Sequence, residues 1–240
     1  MKKLFKAVRH NDLQTIINVL DKNPELINCI ATPPPKKDED QSLLQVANKV
    51  NSLTIAHYLI DKGIDVNYME PYNGLPKTMC FRCPVLIDAV RFILAGGLNW
   101  QEKAEERMKL IVHLLEKGAD PNKMDNRGRN AWDWAICAYC DAKGNIKDVE
   151  EGKLFAELAK EVFDILYRYN ANILDIDRIN NELKDFENYS LLLKNLILNR
   201  DDLYGVEPGN VEHWKKRNLP VISIIKPYYM RNNPYYENVK

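Results

Sequence analysis

Two Cys-x-x-Cys pairs are the residues of this chain whose types and spacing best suit chemistry. They are Cys80 with Cys83 and Cys137 with Cys140, and four thiolates in two such pairs are a common ligand set for structural zinc. The first pair precedes a predicted helix, and the second lies at the far end of another, so about 15 Å of helix rise separates them. We therefore expect reduced, uncoupled thiols, with no metal and no other cofactor. A zinc site stays the alternative if the long loop before Cys83 folds back.

The rest of the sequence suggests no reaction. None of the four histidines lies beside a serine or cysteine in a nucleophile context, and we expect His57 and His113 on an exposed helix surface. The chain has no glycine-rich phosphate loop, no His-Glu-x-x-His motif and no EF-hand spacing. These observations predict a protein that is not an enzyme.

The composition predicts a packed protein without a global charge preference. Of the 240 residues, 45% are hydrophobic and 28% are charged, and the formal net charge is zero. This gives no reason to expect nucleic acid or an anionic membrane as the partner. No apolar run is long enough to span a bilayer, the basic start lacks the apolar region of a signal peptide, and five cysteines in a chain of this size favour a reducing compartment. We expect a cytoplasmic protein that is monomeric when free and binds no membrane.

One short phrase recurs and predicts the architecture. Gly63–Asn67 (GIDVN) returns as Gly118–Asn122 (GADPN), and Asn170–Ile173 (NANI) is a weaker copy. Each copy closes an apolar helical run. Internal repetition of this kind is typical of an array of short helical units, which is more often a surface that holds a partner than a pocket for chemistry.

The residues between the copies predict where paired helices begin and end. We expect Asp12 and Ser42 to cap helices and Gly63 to end one. In the last clear unit, a helix from Ala131 is followed by a polar insertion at Asp141–Gly152 and a second helix over about Lys153–Tyr169.

The C-terminal part departs from the repeat pattern. Residues 176–203 have a helical apolar pattern that matches no repeat, which suits a capping unit of an array. Residues 205–240 are rich in proline and tyrosine, and we expect this tail to be extended and packed on the array.

The units resemble ankyrin repeats over roughly residues 2–174. Ser42–Ala47 and Asn130–Ala135 are similar to the family's Thr-Pro-Leu-His-x-Ala opening, the two glycine phrases to its Gly-Ala-Asp-x-Asn close, and Asp125–Gly128 to its Asp-x-x-Gly turn. The spacing departs from the family, because Asn67 and Asn122 lie 55 residues apart where one repeat has about 33. The resemblance implies an all-α, ankyrin-like helical solenoid of about four to five units with long insertions, over residues 1–204, followed by the extended C-terminal tail.

The resemblance also implies a partner-facing surface. Arg9, Lys49 and Arg91 each follow the alanine of a predicted first helix by two residues, and in ankyrin arrays such a row lies on the concave, partner-facing side. The adjacent turns add further basic residues, and loop and helix aromatics add residue types that often dominate interfaces. The predicted partner-binding residues are Arg9, Lys49, Tyr72, Arg82, Arg91, Asn126, Arg127, Arg129 and Trp134.

The sequence therefore predicts a non-enzymatic protein-binding module with a partly basic concave face. The expected partner is one protein with an acidic or mixed patch, and by analogy of fold the chain is similar to bacterial immunity or effector proteins. The alternative is a scaffold for nucleic-acid binding, or for an enzyme activity carried by the loops and the tail.

Overall fold

The computed structural model describes residues 1–33, 38–71, 81–94, 100–143, 146, 148–173 and 223–228. These residues are helical without a β-strand, and one isolated bridge joins Ile30 and Ser42, so the all-α prediction is confirmed. The helices are α1 (Lys2–Arg9), α2 (Leu13–Leu20), a 3-10 helix (Pro24–Asn28), α3 (Leu43–Lys49), α4 (Leu53–Asp61), α5 (Val85–Leu94), α6 (Trp100–Glu116), α7 (Ala131–Lys143) and α8 (Val149–Arg168). Residues 223–228 are also helical.

The predicted helix caps are present. Asp12 Oδ1 accepts a hydrogen bond from the Thr15 backbone N–H at 3.0 Å. Ser42 Oγ accepts from the Gln45 N–H at 3.2 Å, and Gln45 Oε1 accepts from the Ser42 N–H at 2.9 Å. These bonds satisfy backbone donors that the first turn of a helix leaves without partners.

The two glycine phrases end α4 and α6 in the same way. Gly63 and Gly118 have φ of 83° and 87°, a left-handed conformation that glycine adopts without strain. The chain then turns on the aspartate of the phrase, because Asp65 Oδ1 accepts from Asn67 N–H and Asp120 Oδ1 accepts from Asn122 N–H, both at 2.8 Å. The repeated phrase is thus one local structure used twice.

Asparagine side chains join one helix pair to the next. The Asn67 side chain donates to Gly118 O and accepts from Asp120 N–H, both at 2.8 Å. Asn28, after the first helix pair, accepts from Asp65 N–H at 2.9 Å in the equivalent way. Asn28 and Asn67 therefore occupy matching places at the ends of successive helix pairs.

The chain divides into two compact units, residues 1–131 and 132–240. In the first unit, α1 packs on α2, α3 on α4 and α5 on α6, and the pairs stack through α1–α3, α3–α5 and α4–α6 contacts. The interfaces bury aliphatic side chains such as Leu4, Leu44, Leu59, Leu86 and Leu114. First helices therefore lie against first helices, which places equivalent residues of successive pairs beside one another.

The second unit is built around large aromatic side chains. Trp132 is fully buried, and its ring centroid lies 4.9 Å from that of Phe163 and 5.3 Å from that of Tyr228. Tyr139 of α7 stacks on Phe155 of α8 at 5.3 Å. Tyr228 also bonds to the Asp164 carboxylate through its hydroxyl, so the described part of the tail packs on this unit.

Two predicted details of this unit are wrong. The polar insertion at 141–152 is partly helical, because α7 continues to Lys143 and α8 begins at Val149 and not at Lys153. Asp148 caps α8 by accepting from the Glu151 N–H at 2.8 Å, and acidic side chains in a first helical turn are favoured by the helix dipole. The tail is also not extended throughout, since 223–228 form a helical turn. The predicted capping segment 176–203, the boundary at 204/205 and the rest of the tail lie outside the described residues.

Candidate partner-binding surface

Three predicted basic residues lie on the stacked first helices. Arg9 ends α1, Lys49 ends α3 and Arg91 lies in the last turn of α5. Their side chains are 22%, 34% and 30% exposed. The row predicted from the repeats therefore lies on helices that stack, and each member keeps part of its side chain in solvent.

Each basic side chain of this row forms an ion pair with a carboxylate. Asp38, in the loop between the first two helix pairs, is 1% exposed and binds Arg9 Nε at 2.6 Å and Lys49 Nζ at 2.9 Å. Arg91 Nη1 lies 2.9 Å from Asp88 Oδ1. Each of the three cations thus has a carboxylate partner, and the row is less basic than its sequence suggests.

The pKa values of Asp38 and Asp88 are shifted in opposite directions. Burial raises the pKa of Asp38, but the hydrogen bonds and charges of Lys49 and Arg9 outweigh it, and the result is a pKa below its usual value. At Asp88 burial dominates and raises the pKa, although Arg91 and a hydrogen bond from the Cys83 thiol oppose it. Asp38 is therefore held ionised between two helices, whereas Asp88 is the weaker counter-ion.

A third carboxyl group lies under the same surface. Glu70 is buried, and burial raises its pKa. Gln41 Nε2 donates to Glu70 Oε1 at 3.3 Å, and Gln41 Oε1 accepts from Lys49 Nζ at 3.0 Å. Gln41 therefore connects Glu70 to the row of cations through a neutral amide.

Phe81 brings Arg91 and Arg127 together. The guanidinium carbon of Arg91 lies 4.2 Å from the Phe81 ring centroid, and that of Arg127 lies 5.6 Å from it. We call these three residues the Phe81 cluster. Guanidinium groups over an aromatic face gain cation–π attraction and lose rotamer freedom, so this contact fixes two cations before any partner binds.

The turn 125–129 holds Arg127 in place. Asp125 is buried, and its Oδ1 accepts from the N–H groups of Arg127 and Arg129 at 2.8 and 2.9 Å. Asn126 pairs with Arg82 through two bonds, since its backbone N–H donates to Arg82 O at 3.1 Å and its side-chain Oδ1 accepts from Arg82 N–H at 3.2 Å. Asn126 thus positions the chain beside Phe81, while Arg82 is buried and presents little surface to a partner.

Three predicted residues remain, namely Tyr72, Arg129 and Trp134. Arg129 is partly exposed at the end of the turn. Trp134 is partly exposed on α7 in the second unit. Tyr72 lies outside the described residues.

The cysteines form no metal site in the part of the chain that the structure describes. Cys29, Cys83, Cys137 and Cys140 form no disulfide there, and the described residues contain no group of three or more histidine, cysteine or acidic side chains arranged to hold a metal. Burial raises the pKa of Cys83 well above its usual value, which makes this thiol a poor nucleophile. Cys80 lies outside the described residues.

Comparison with known proteins adds one distant similarity. No family model matches the chain. The chain is 27% identical over 119 residues to a Caenorhabditis elegans protein described as E3 ubiquitin-protein ligase hecd-1. The match covers 50% of this chain and 4% of that protein, so the chain corresponds to a small part of its relative. Among the described helices, none is both long enough and apolar enough to cross a membrane.

Proposed function

We propose that this chain is a non-enzymatic, cytoplasmic protein-binding module, built as an irregular ankyrin-like solenoid that holds one protein on its first helices and adjoining turns. Three observations support this function. Helix pairs stack on one another, the glycine phrases have matching turns, and asparagine side chains link successive units. A rigid array presents its surface without further ordering, which favours binding.

The Phe81 cluster is the observation that carries the proposal. Arginine and aromatic side chains are enriched among the residues that dominate interface energies. Here an aromatic ring and two guanidinium groups lie together, all partly exposed. The turn 125–129 and the pairing of Asn126 with Arg82 fix their positions.

Arg127 is the member of the cluster best placed to anchor a partner. Arg91 already binds Asp88, whereas Arg127 has no ion pair with any residue in the described part of the chain. A partly exposed, fixed guanidinium without a carboxylate suits an acidic side chain of a partner, because guanidinium and carboxylate form paired charge-assisted hydrogen bonds. The partner is therefore a protein with an acidic or mixed patch.

The experiment compares baits that differ by one charge reversal. Wild-type protein, Arg127→Glu and a control, Lys103→Glu, are used to capture partners from the source cell. Lys103 is exposed on α6 and is not a member of the Phe81 cluster. We expect one protein retained by wild type and Lys103→Glu and lost with Arg127→Glu, with affinity reduced about 30-fold or more, as for an interface hot spot.

Thermal unfolding of the three baits separates binding from folding. Arg127→Glu should unfold at nearly the wild-type temperature, since the Arg127 side chain is partly exposed and its contact with the Phe81 ring is a long one, at 5.6 Å from the centroid. Equal capture by all three baits would contradict the proposal. Recovery of nucleic acid with a steep salt dependence would favour the nucleic-acid alternative instead.

A further inference from the structure

A histidine pair joins two helices of the first unit. The rings of His57 in α4 and His113 in α6 have centroids 5.0 Å apart and nearly parallel planes, at 15° to each other. Their Nδ1 atoms lie 2.7 Å apart. Only 16% of the His113 side chain is exposed, and His57 is partly buried. The prediction that both lie on an exposed helix surface is therefore wrong, because the stacking of α4 on α6 brings them together.

The short contact between the Nδ1 atoms limits how many protons the pair can hold. A hydrogen bond between two ring nitrogens needs one N–H and one lone pair. His113 Nε2 lies 3.1 Å from Asp61 Oδ1, a carboxylate oxygen that accepts only. In the neutral pair His113 therefore carries its proton on Nε2, and its Nδ1 accepts from His57 Nδ1–H.

One added proton keeps the contact, and a second one breaks it. With one extra proton, one Nδ1 still has a lone pair, so the bond between the rings persists. With two, both Nδ1 atoms carry hydrogens that point at each other, and two cations lie edge to edge. The doubly protonated pair therefore loses the hydrogen bond and gains repulsion between the helices.

The neighbouring charges suit a single extra proton. Asp61 faces His113 from α4 and also binds Lys117 Nζ at 3.3 Å. On α6, Glu106 favours a charge on His57 and Lys109 opposes it, and these two pair with each other at 3.2 Å. Burial, followed by the charge of His113, lowers the pKa of His57 below its usual value. The surroundings can neutralise one imidazolium but offer little to a second.

We propose that the contact between His57 and His113 is a pH-sensitive latch between α4 and α6, closed with no more than one extra proton and opened by the second. Acidification then loosens the packing between the second and third helix pairs. This inference is independent of the proposed partner, because it concerns an interface within the first unit.

The direction of the pH effect follows from proton linkage. The pKa of His57 is lower in the folded protein than the unfolded value of 6.5, so the unfolded chain binds more protons between these two values. The stability associated with His57 is complete above about pH 6.5 and is lost as the pH falls toward the folded pKa.

Thermal unfolding of three proteins tests the latch. Wild type, His57→Gln and a control, His10→Gln, are melted from about pH 7.5 to about pH 5, where histidine changes charge. His10 is exposed after α1. For each unit by which folding lowers the pKa, the wild-type Tm should fall by about 3–5 °C on acidification. His57→Gln should lack this part of the decline, and His10→Gln should keep it. Parallel declines of wild type and His57→Gln would overturn the proposal.

Proton NMR of the wild-type chain gives a test that needs no variant. Because the two rings are coupled, the ring protons of His57 should titrate in two steps, with the second step below the unfolded value of 6.5. Amide exchange should rise in α4 and α6 through that second step. A single titration step of the His57 ring protons, or unchanged exchange in both helices, would show that the pair does not act as a latch.

Discussion

Asn67 gives the sharpest test of how successive helix pairs are joined. Its side chain makes two hydrogen bonds to the turn that ends the next helix pair, donating one to Gly118 O and accepting one from Asp120 N–H. Asn67→Ala removes both bonds and leaves two backbone groups to be satisfied by water. At about 0.5–1.5 kcal/mol for each bond, the expected loss of unfolding free energy is about 1–3 kcal/mol.

Asn28→Ala is the matched control for this change. The Asn28 side chain makes the equivalent bond to Asp65 N–H, but this is a single bond, so the same substitution should lower the free energy by about 0.5–1.5 kcal/mol. Urea unfolding, followed by circular dichroism, measures both losses. If Asn67→Ala destabilised the protein no more than Asn28→Ala, the bonds between units would not carry the stability assigned to them.

Two further predictions concern the core and the row of cations. Leu115→Ala should lower the unfolding free energy by about 2–5 kcal/mol in urea, because the side chain is buried in α6; an unchanged transition would refute this packing. Asp38→Asn should destabilise the protein near neutral pH, because it removes the anion shared by Arg9 and Lys49. The difference between wild type and Asp38→Asn should shrink as the pH falls below 3.8, through the lowered folded pKa, and a difference that stays constant would refute the assigned role.

The parts of the fold that depend on local chemistry were predictable from the sequence. Asp12, Ser42 and Gly63 act through backbone groups within a few residues of themselves, so their roles can be read from neighbouring residues alone. The start of α8 could also have been predicted from the sequence, because Asp148 and Glu151 form an Asp-x-x-Glu capping pattern. It was missed because the glycine at 144 and the polar residues around it indicated a loop.

The electrostatic partners could not be predicted in the same way. Asp38 lies in a run of five charges that is typical of a solvated loop, and its burial depends on Arg9, 29 residues away. His57 and His113 are 56 residues apart, so their contact depends on the stacking of α4 on α6. The repeats correctly suggested that Arg9, Lys49 and Arg91 share stacked first helices, but the carboxylates beneath them come from loop and helix positions that do not repeat.

Hydrogen exchange of the partner complex tests the central claim most directly. Amides in 81–94 and 121–130 should become protected when the captured protein binds, because these segments carry the Phe81 cluster. Amides of α2, remote in sequence from both segments, should be unchanged. Protection confined to other helices, with 81–94 and 121–130 exchanging as in the free protein, would contradict the account.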